Sequence, residues 1–239
     1  MTKNGITVTV PFGKIPDHRF NIQPEEYTQE TAEMYVSMVV KEINIRSKNF
    51  RGITFSTVFF AGCAPSLLTL DQMYRILQAL YDRLAIIPEE QTLMLQPNTI
   101  DNHKVKVLRE SGFDQMTLRF TGEQVPIDDF AILKEAGFHS IGFELITDPK
   151  TNWQKTFSQL MSVTPDHIYL LPPPNDEITI PGYNQFIPHH FARPGKENLH
   201  LQNFYRNAII AGFGLAAISC KKDRIQKNPT NLKEYLVNK

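Results

Sequence analysis

Two loops and two matching strand positions gather the side chains that could do chemistry. The first loop, Gly13-Lys14-Ile15-Pro16-Asp17-His18-Arg19-Phe20, sets a carboxylate beside an imidazole. The second, Ala61-Gly62-Cys63-Ala64-Pro65-Ser66-Leu67-Leu68, holds a thiol among small residues. Arg119 and Glu144 occupy matching places in two similar segments and would pair across a barrel mouth if both point inward. Asp17, His18, Arg119 and Glu144 therefore form a candidate polar ring, suited to a ligand contact, to acid–base work or, through Asp17, His18 and Glu144, to a divalent metal. His189 and His190 could add nitrogen ligands to Asp17 and His18, although neighbours along a strand point to opposite faces and do not easily share one ion. A reactive thiol needs a base or a helix N-terminus beside it. The helix after Cys63 starts near Thr69, so Cys63 reads as a small buried hydrophobe.

Alternation and helical spacing supply the elements that must position these groups. Residues 6–12 (ITVTVPF) read as a strand, and residues 28–45 carry Tyr35, Val36, Val39, Val40 and Ile43 at helical spacing. Residues 53–60 form a nearly unbroken β-branched and aromatic run, as in a strand buried on both faces. Thr69 and Gln72 fit a capping box before the stripe Met73, Ile76, Leu77, Leu80 and Leu84. Residues 91–95 read as a third strand. A faint repeat follows: residues 109–120 resemble residues 134–145, and in each copy a helix ends on glycine, Gly112 or Gly137, before a new strand. Residues 153–161 give another helix and residues 167–171 (HIYLL) a sixth strand, stopped by Pro172, Pro173 and Pro174.

Six strands with helices between them predict a parallel α/β fold, either a partial (β/α)6 TIM-like barrel or an open doubly wound sheet. No dinucleotide glycine fingerprint follows the first strand, which favours the barrel. The expected organisation is a single domain over 1–239, with the barrel at about 5–175 and an irregular extension at about 176–239 packed across the mouth or an open edge. In such a barrel the loops after the strands carry the chemistry.

Composition excludes several classes of function. Lysine plus arginine number 25 and aspartate plus glutamate 25, so no basic field exists to hold a nucleic acid backbone. No apolar run reaches the ~18 residues of a membrane span. The first residues read as the approach to a strand, not as a signal peptide, so the expected compartment is the cytoplasm. Two cysteines, Cys63 and Cys220, exclude a disulfide scaffold, an all-cysteine zinc site and an iron–sulfur cluster held by three or four of this chain's cysteines.

Several motifs resemble those of the radical S-adenosylmethionine proteins related to oxygen-independent coproporphyrinogen III oxidase, most closely the HemW haem chaperones. They are Val10-Pro11-Phe12, Phe59-Phe60-Ala61-Gly62-Cys63-Ala64-Pro65-Ser66-Leu67-Leu68, Pro165-Asp166-His167-Ile168, Gly182-Tyr183, Phe191-Ala192-Arg193-Pro194-Gly195 and Gly212-Phe213-Gly214 with Ala217 and Ser219. Asn228-Pro229 and Tyr235-Leu236 continue the match over nearly the whole chain. The resemblance implies the radical SAM type of partial barrel, here with no winged-helix tail domain. It also places His200 and Tyr205 of His200-Leu201-Gln202-Asn203-Phe204-Tyr205 in an element that relatives link to haem, where a neutral imidazole would suit an axial position on iron. The departures carry equal weight. The family's three cluster cysteines fall on Gly13, Asp17 and Phe20, the glycine-rich cradle is reduced to Ala61-Gly62-Cys63-Ala64, and the acidic residue after strand three corresponds to Met94.

The expectation is a catalytically inactive radical-SAM-like protein without iron–sulfur cluster or S-adenosylmethionine. It would bind haem, a porphyrin or a partner in haem metabolism such as an intact radical SAM paralogue. The alternative is an enzyme rebuilt around Asp17, His18 and Glu144.

Overall fold

The computed structural model describes residues 3–122, 124–147, 153–171, 178–221 and 224–237. Six parallel strands run in sequence order across the sheet: β1 (Asn4–Val10), β2 (Thr54–Gly62), β3 (Ala85–Leu95), β4 (Gln115–Thr121), β5 (Ser140–Ile146) and β6 (His167–Leu171). The crossovers are α1 (Gln29–Arg46), α2 (Leu70–Arg83), α3 (Asn102–Glu110), α4 (Ile127–Glu135) and α5 (Trp153–Ser162). Each local signal is realised in its side chains. The Thr28 side chain caps α1, and Thr69 and Gln72 form a reciprocal capping box on α2. Gly112 and Gly137 end α3 and α4 with φ of +89° and +71°, the left-handed conformation that glycine adopts without a Cβ penalty.

The segment after residue 178 differs from its expected irregularity. It supplies β7 (Asn184–Ile187), β8 (His190–Ala192), α6 (Leu199–Tyr205), β9 (Ile210–Phe213), β10 (Ile218–Lys221), β11 (Arg224–Lys227) and α7 (Leu232–Val237). The sheet order is β11-β10-β9-β1-β2-β3-β4-β5-β6-β8-β7, so the extension lengthens both edges of the parallel sheet. β9 joins β1 in parallel, and β8 joins β6 antiparallel. The physical reason is edge pairing: β1 and β6 would otherwise present rows of unpaired backbone groups. These strands are only three or four residues long, too short for hydrophobic periodicity to reveal.

The two faces of the parallel sheet differ sharply. One packs against the helices and the turns that follow them through aromatic contacts such as the stacked Phe130–Phe143 pair and Phe60–Phe113, centroids 5.0 and 5.6 Å apart. The other carries Thr7, Thr57, Glu90, Thr92, Gln115, Thr117, Arg119, Glu144, His167 and Tyr169, all buried. Buried polar groups persist only when hydrogen-bonded, and α6 provides partners at the starts of the strands. Asn198 Nδ2 donates to Thr92 Oγ1 at 3.0 Å, and the Leu199 and His200 amides donate to Glu90 at 2.7 and 3.0 Å. Burial pushes the Glu90 carboxyl up to about 7. Among the described residues no helix is long and apolar enough to cross a membrane.

Candidate functional site

The opposite, loop-bearing end of the barrel is filled by a four-membered ion network. β4 and β5 pair in a register that sets Arg119 directly beside Glu144, the tertiary consequence of the sequence repeat. The Arg119 guanidinium donates to Glu144, to the Gly62 carbonyl and, at 2.9 Å, to Asp17 Oδ2. Asp17 is brought there by the loop after β1, which folds back in a bridge between Asp17 and Ile22. Its Oδ2 also accepts the Gly62 amide at 3.1 Å, and its Oδ1 accepts the Arg19 amide at 2.9 Å. The Arg19 guanidinium closes the network on Glu144. Side-chain exposure is 1% for Asp17, Arg119 and Glu144 and 15% for Arg19, so Arg19 is the member that reaches solvent.

Two carboxylates and two guanidiniums sum to zero charge. Burying an ion is costly unless its pairing and hydrogen bonds are complete, and a planar guanidinium can serve several oxygens at once. Burial works against the Asp17 carboxylate, but Arg119 and Arg19 outweigh it and hold its pKa below the ordinary value. Burial likewise opposes the Arg119 charge, and Asp17 and Glu144 overcome it, keeping the guanidinium protonated.

Of the expected polar ring, the structure unites Asp17, Arg119 and Glu144. His18 is exposed, so Asp17, His18 and Glu144 do not form one site. Arg19 takes the place expected of His18. A buried aspartate needs a counter-charge, but which neighbouring side chain turns inward depends on the loop bridge and cannot be read from the sequence. Among the described residues no group of three His, Cys, Asp or Glu side chains could hold a metal ion, which corrects the metal site expected from His189 and His190. His190 lies in β8, buried, whereas His189 is half-buried at a φ of +58°.

An iron–sulfur cluster needs soft thiolate ligands. Gly13, Asp17 and Phe20 provide none; Asp17 is fully engaged and Phe20 is buried in the core. The Cys63 thiol is buried, lies 3.8 Å from the Ile22 carbonyl, and is pushed up to about 12, chiefly by burial. Cys220 is on β10, toward one edge of the sheet. The cradle is also closed to a ligand. Ala61 and Ala64 are fully buried, and both backbone polar groups of Gly62 are taken, the amide by Asp17 and the carbonyl by Arg119. The residues present do not fit a cluster or S-adenosylmethionine.

The histidines sort by whether a ring nitrogen remains available. His200 sits at the far end of the barrel, with Nε2 2.9 Å from Thr7 Oγ1 and Nδ1 2.8 Å from Thr57 Oγ1. Burial drives its pKa down to about 3. With both nitrogens engaged inside the core, His200 is not placed to ligate iron, a correction to the role implied by the resemblance. Tyr205 ends α6 on the outside, 54% exposed, and does not join it. His167 is engaged in the same way, by Thr117 at 2.8 Å and Ser140 at 2.9 Å. His190 differs. Its Nδ1 bonds the Pro188 carbonyl at 2.7 Å, and its Nε2 has no partner although the residue is 3% exposed.

Beside the ion network lies a cleft of about 960 Å³ between the loops after β1, β3 and β4 and the start of α4. Phe120, Val125 and Ile127 give it apolar surface, and Lys14, Gln96 and Asp128 give it polar surface. Among the described residues no histidine, cysteine, methionine or tyrosine lines it. Sequence reasoning did not reach this cleft, because its walls come from four separate segments without a shared motif.

No protein-family model matches the chain. The structure resembles that of coproporphyrinogen III oxidase (HemN) from Escherichia coli, described as a radical SAM enzyme, with a TM-score of 0.78 and 20% identity over 98% of this chain and 68% of that one. The fold is therefore of the radical SAM type, the partial barrel expected from the sequence. In sequence, the chain is 24% identical to the haem chaperone HemW of Synechocystis sp. over 239 aligned positions, covering 77% of this chain and 57% of the relative. It is 25% identical to the haem chaperone HemW of Lactococcus lactis subsp. lactis over 134 positions, covering 50% and 34%. The chain thus spans about half the length, or less, of these curated relatives. It is similar in sequence to HemW haem chaperones and in fold to HemN.

Proposed function

We propose that this chain is a haem-related protein of the radical SAM fold that binds haem or a porphyrin and performs no radical chemistry. One observation carries the reading: the ion network of Asp17, Arg119, Glu144 and Arg19 fills the loop-bearing end of the barrel, where the family's cluster and cosubstrate would have to be held. Radical cleavage requires an electron from a sulfur-ligated cluster, and this end of the barrel offers hard oxygen and guanidinium groups instead. The binding half of the proposal is supported by the similarity to proteins described as haem chaperones. Among the described residues, His190 keeps one buried ring nitrogen, Nε2, without a hydrogen-bond partner.

Two measurements on the purified chain test this. Anaerobic reconstitution with iron and sulfide is expected to leave substoichiometric iron and no cluster absorption, and dithionite with S-adenosylmethionine is expected to release no deoxyadenosine. Titration with haemin is expected to give a saturable Soret shift. Stoichiometric iron with deoxyadenosine release would overturn the first half, and an unchanged haemin spectrum the second.

A further inference from the structure

The sheet ends on one side in β11, which pairs antiparallel with β10 and, among the described residues, with no other strand. All four of its residues are exposed. The Asn228 amide donates to the Ala217 carbonyl at 3.0 Å, which sets the phase of this ladder. Antiparallel ladders alternate between pairs that exchange hydrogen bonds and pairs that do not. Arg224 and Gln226 therefore bond to their partners Lys221 and Ser219, whereas Ile225 and Lys227 turn their amides and carbonyls outward. Such a row of outward donors and acceptors is a template for one more strand.

Charge decides what kind of strand it accepts. The chain as a whole has no net charge, yet Lys221-Lys222-Asp223-Arg224-Ile225-Gln226-Lys227 holds four cations and one carboxylate. Lys221 Nζ donates to the Asn49 carbonyl at 2.7 Å, so the β10–β11 ribbon meets the turn Ser47–Phe50. That turn adds exposed Lys48, and exposed Arg51 follows it directly. A second copy of β11 centred antiparallel on the first would set Arg224 opposite Lys227, and like charges directly opposite destabilise a strand pair. Nucleic acid and lipid headgroups match the charge but carry no alternating amides and carbonyls to meet the outward row. An acidic polypeptide strand satisfies both. Ile225, 67% exposed, adds an apolar contact on the same face of β11 as Lys227. The opposite edge strand, β7, has no charged side chain and buries Ile187, so it lacks this selectivity.

We propose that β11 is a docking edge for an acidic, extended segment of a partner protein. The segment adds as a further strand, with carboxylates opposite Arg224 and Lys227 and an apolar side chain opposite Ile225. This goes beyond the haem reading and does not depend on it.

The probe is a capped, labelled peptide, Glu-Glu-Thr-Val-Glu-Glu, followed by fluorescence anisotropy with the full chain. Set antiparallel, it places valine opposite Ile225 and glutamates opposite Arg224 and Lys227. The expected result is saturable binding to the wild type. Binding should weaken at least about tenfold in three cases: Ile225→Pro, which removes an outward amide but no bond to β10; the double variant Arg224→Gln/Lys227→Gln; and a peptide of the same charge methylated at the valine amide. Circular dichroism and thermal melts check that each variant is folded. If Ile225→Pro does not fold, the methylated peptide on the wild-type chain still isolates the backbone pairing. No saturation with the wild type would overturn the proposal. Equal binding of the methylated peptide would reduce the edge to a charged surface, and tighter binding of a thymidine oligonucleotide would assign it to nucleic acid. A wild-type dimer in sedimentation that is lost in folded Ile225→Pro would assign it to a second copy, and each of these results overturns it as well.

Discussion

Replacing Arg119 by leucine should expose the balance of the ion network. Arg119 is fully buried and donates to Asp17, Glu144 and the Gly62 carbonyl. Its removal leaves two buried carboxylates facing the single guanidinium of Arg19. Deleting one partner of a buried pair typically costs about 3–5 kcal/mol, because the other charge stays buried and uncompensated. Arg119→Leu is therefore expected to lose about 3–5 kcal/mol in urea unfolding at pH 7, with Glu144→Leu losing a comparable amount by leaving excess positive charge. The double variant restores neutrality with Asp17 and Arg19 alone, so its loss should fall short of the sum by about 1–3 kcal/mol. The deficit also has a pH signature. In the wild type Arg119 and Arg19 hold the Asp17 pKa below its unfolded value, so the stability Asp17 contributes is present above that value and lost as pH falls through the folded pKa. Without Arg119, burial dominates and raises the Asp17 pKa, so protonation should relieve the defect and the gap to wild type should shrink from pH 7 to pH 5. An Arg119→Leu loss under about 1 kcal/mol, or an additive double variant, would refute the reasoning.

Two further outcomes follow from single positions. Gly62 has φ +100°, and an added Cβ would lie 2.2 Å from the Val10 carbonyl oxygen, a backbone atom that cannot step aside. Gly62→Ala should cost at least about 2 kcal/mol by denaturant unfolding, and a neutral result would mean that β1 and β2 can part at this level. His200 is held neutral with a pKa of about 3 against an ordinary 6.5. The unfolded chain takes up the proton first, so this group subtracts stability as pH falls from 6.5 toward 3. Between pH 7 and pH 4 the stability gap between wild type and His200→Gln should narrow by about 3 kcal/mol, at about 1.4 kcal/mol per pH unit below 6.5. A gap that does not move with pH would show His200 to be solvated.

The sequence by itself determined the six-strand α/β order, the caps at Thr69, Gly112 and Gly137, and the absence of thiolates at Gly13, Asp17 and Phe20. Those features are local: a capping box, a left-handed glycine or a missing sulfur is complete within a few residues. The resemblance also marked the HemN/HemW-like relationship. The tertiary structure decided which polar groups meet. Arg119 and Glu144 lie 25 residues apart and become partners through strand register. Arg19 turns inward while His18 turns out, because the loop bridge at Asp17 and Ile22 sets the phase of the chain there. His200, His167 and His190 are the same residue type in similarly apolar stretches, and which of them keeps a free nitrogen depends on hydroxyls and a carbonyl contributed by other elements. A histidine's chemistry lies in its hydrogen-bond partners, and across a sheet those come from segments distant in sequence.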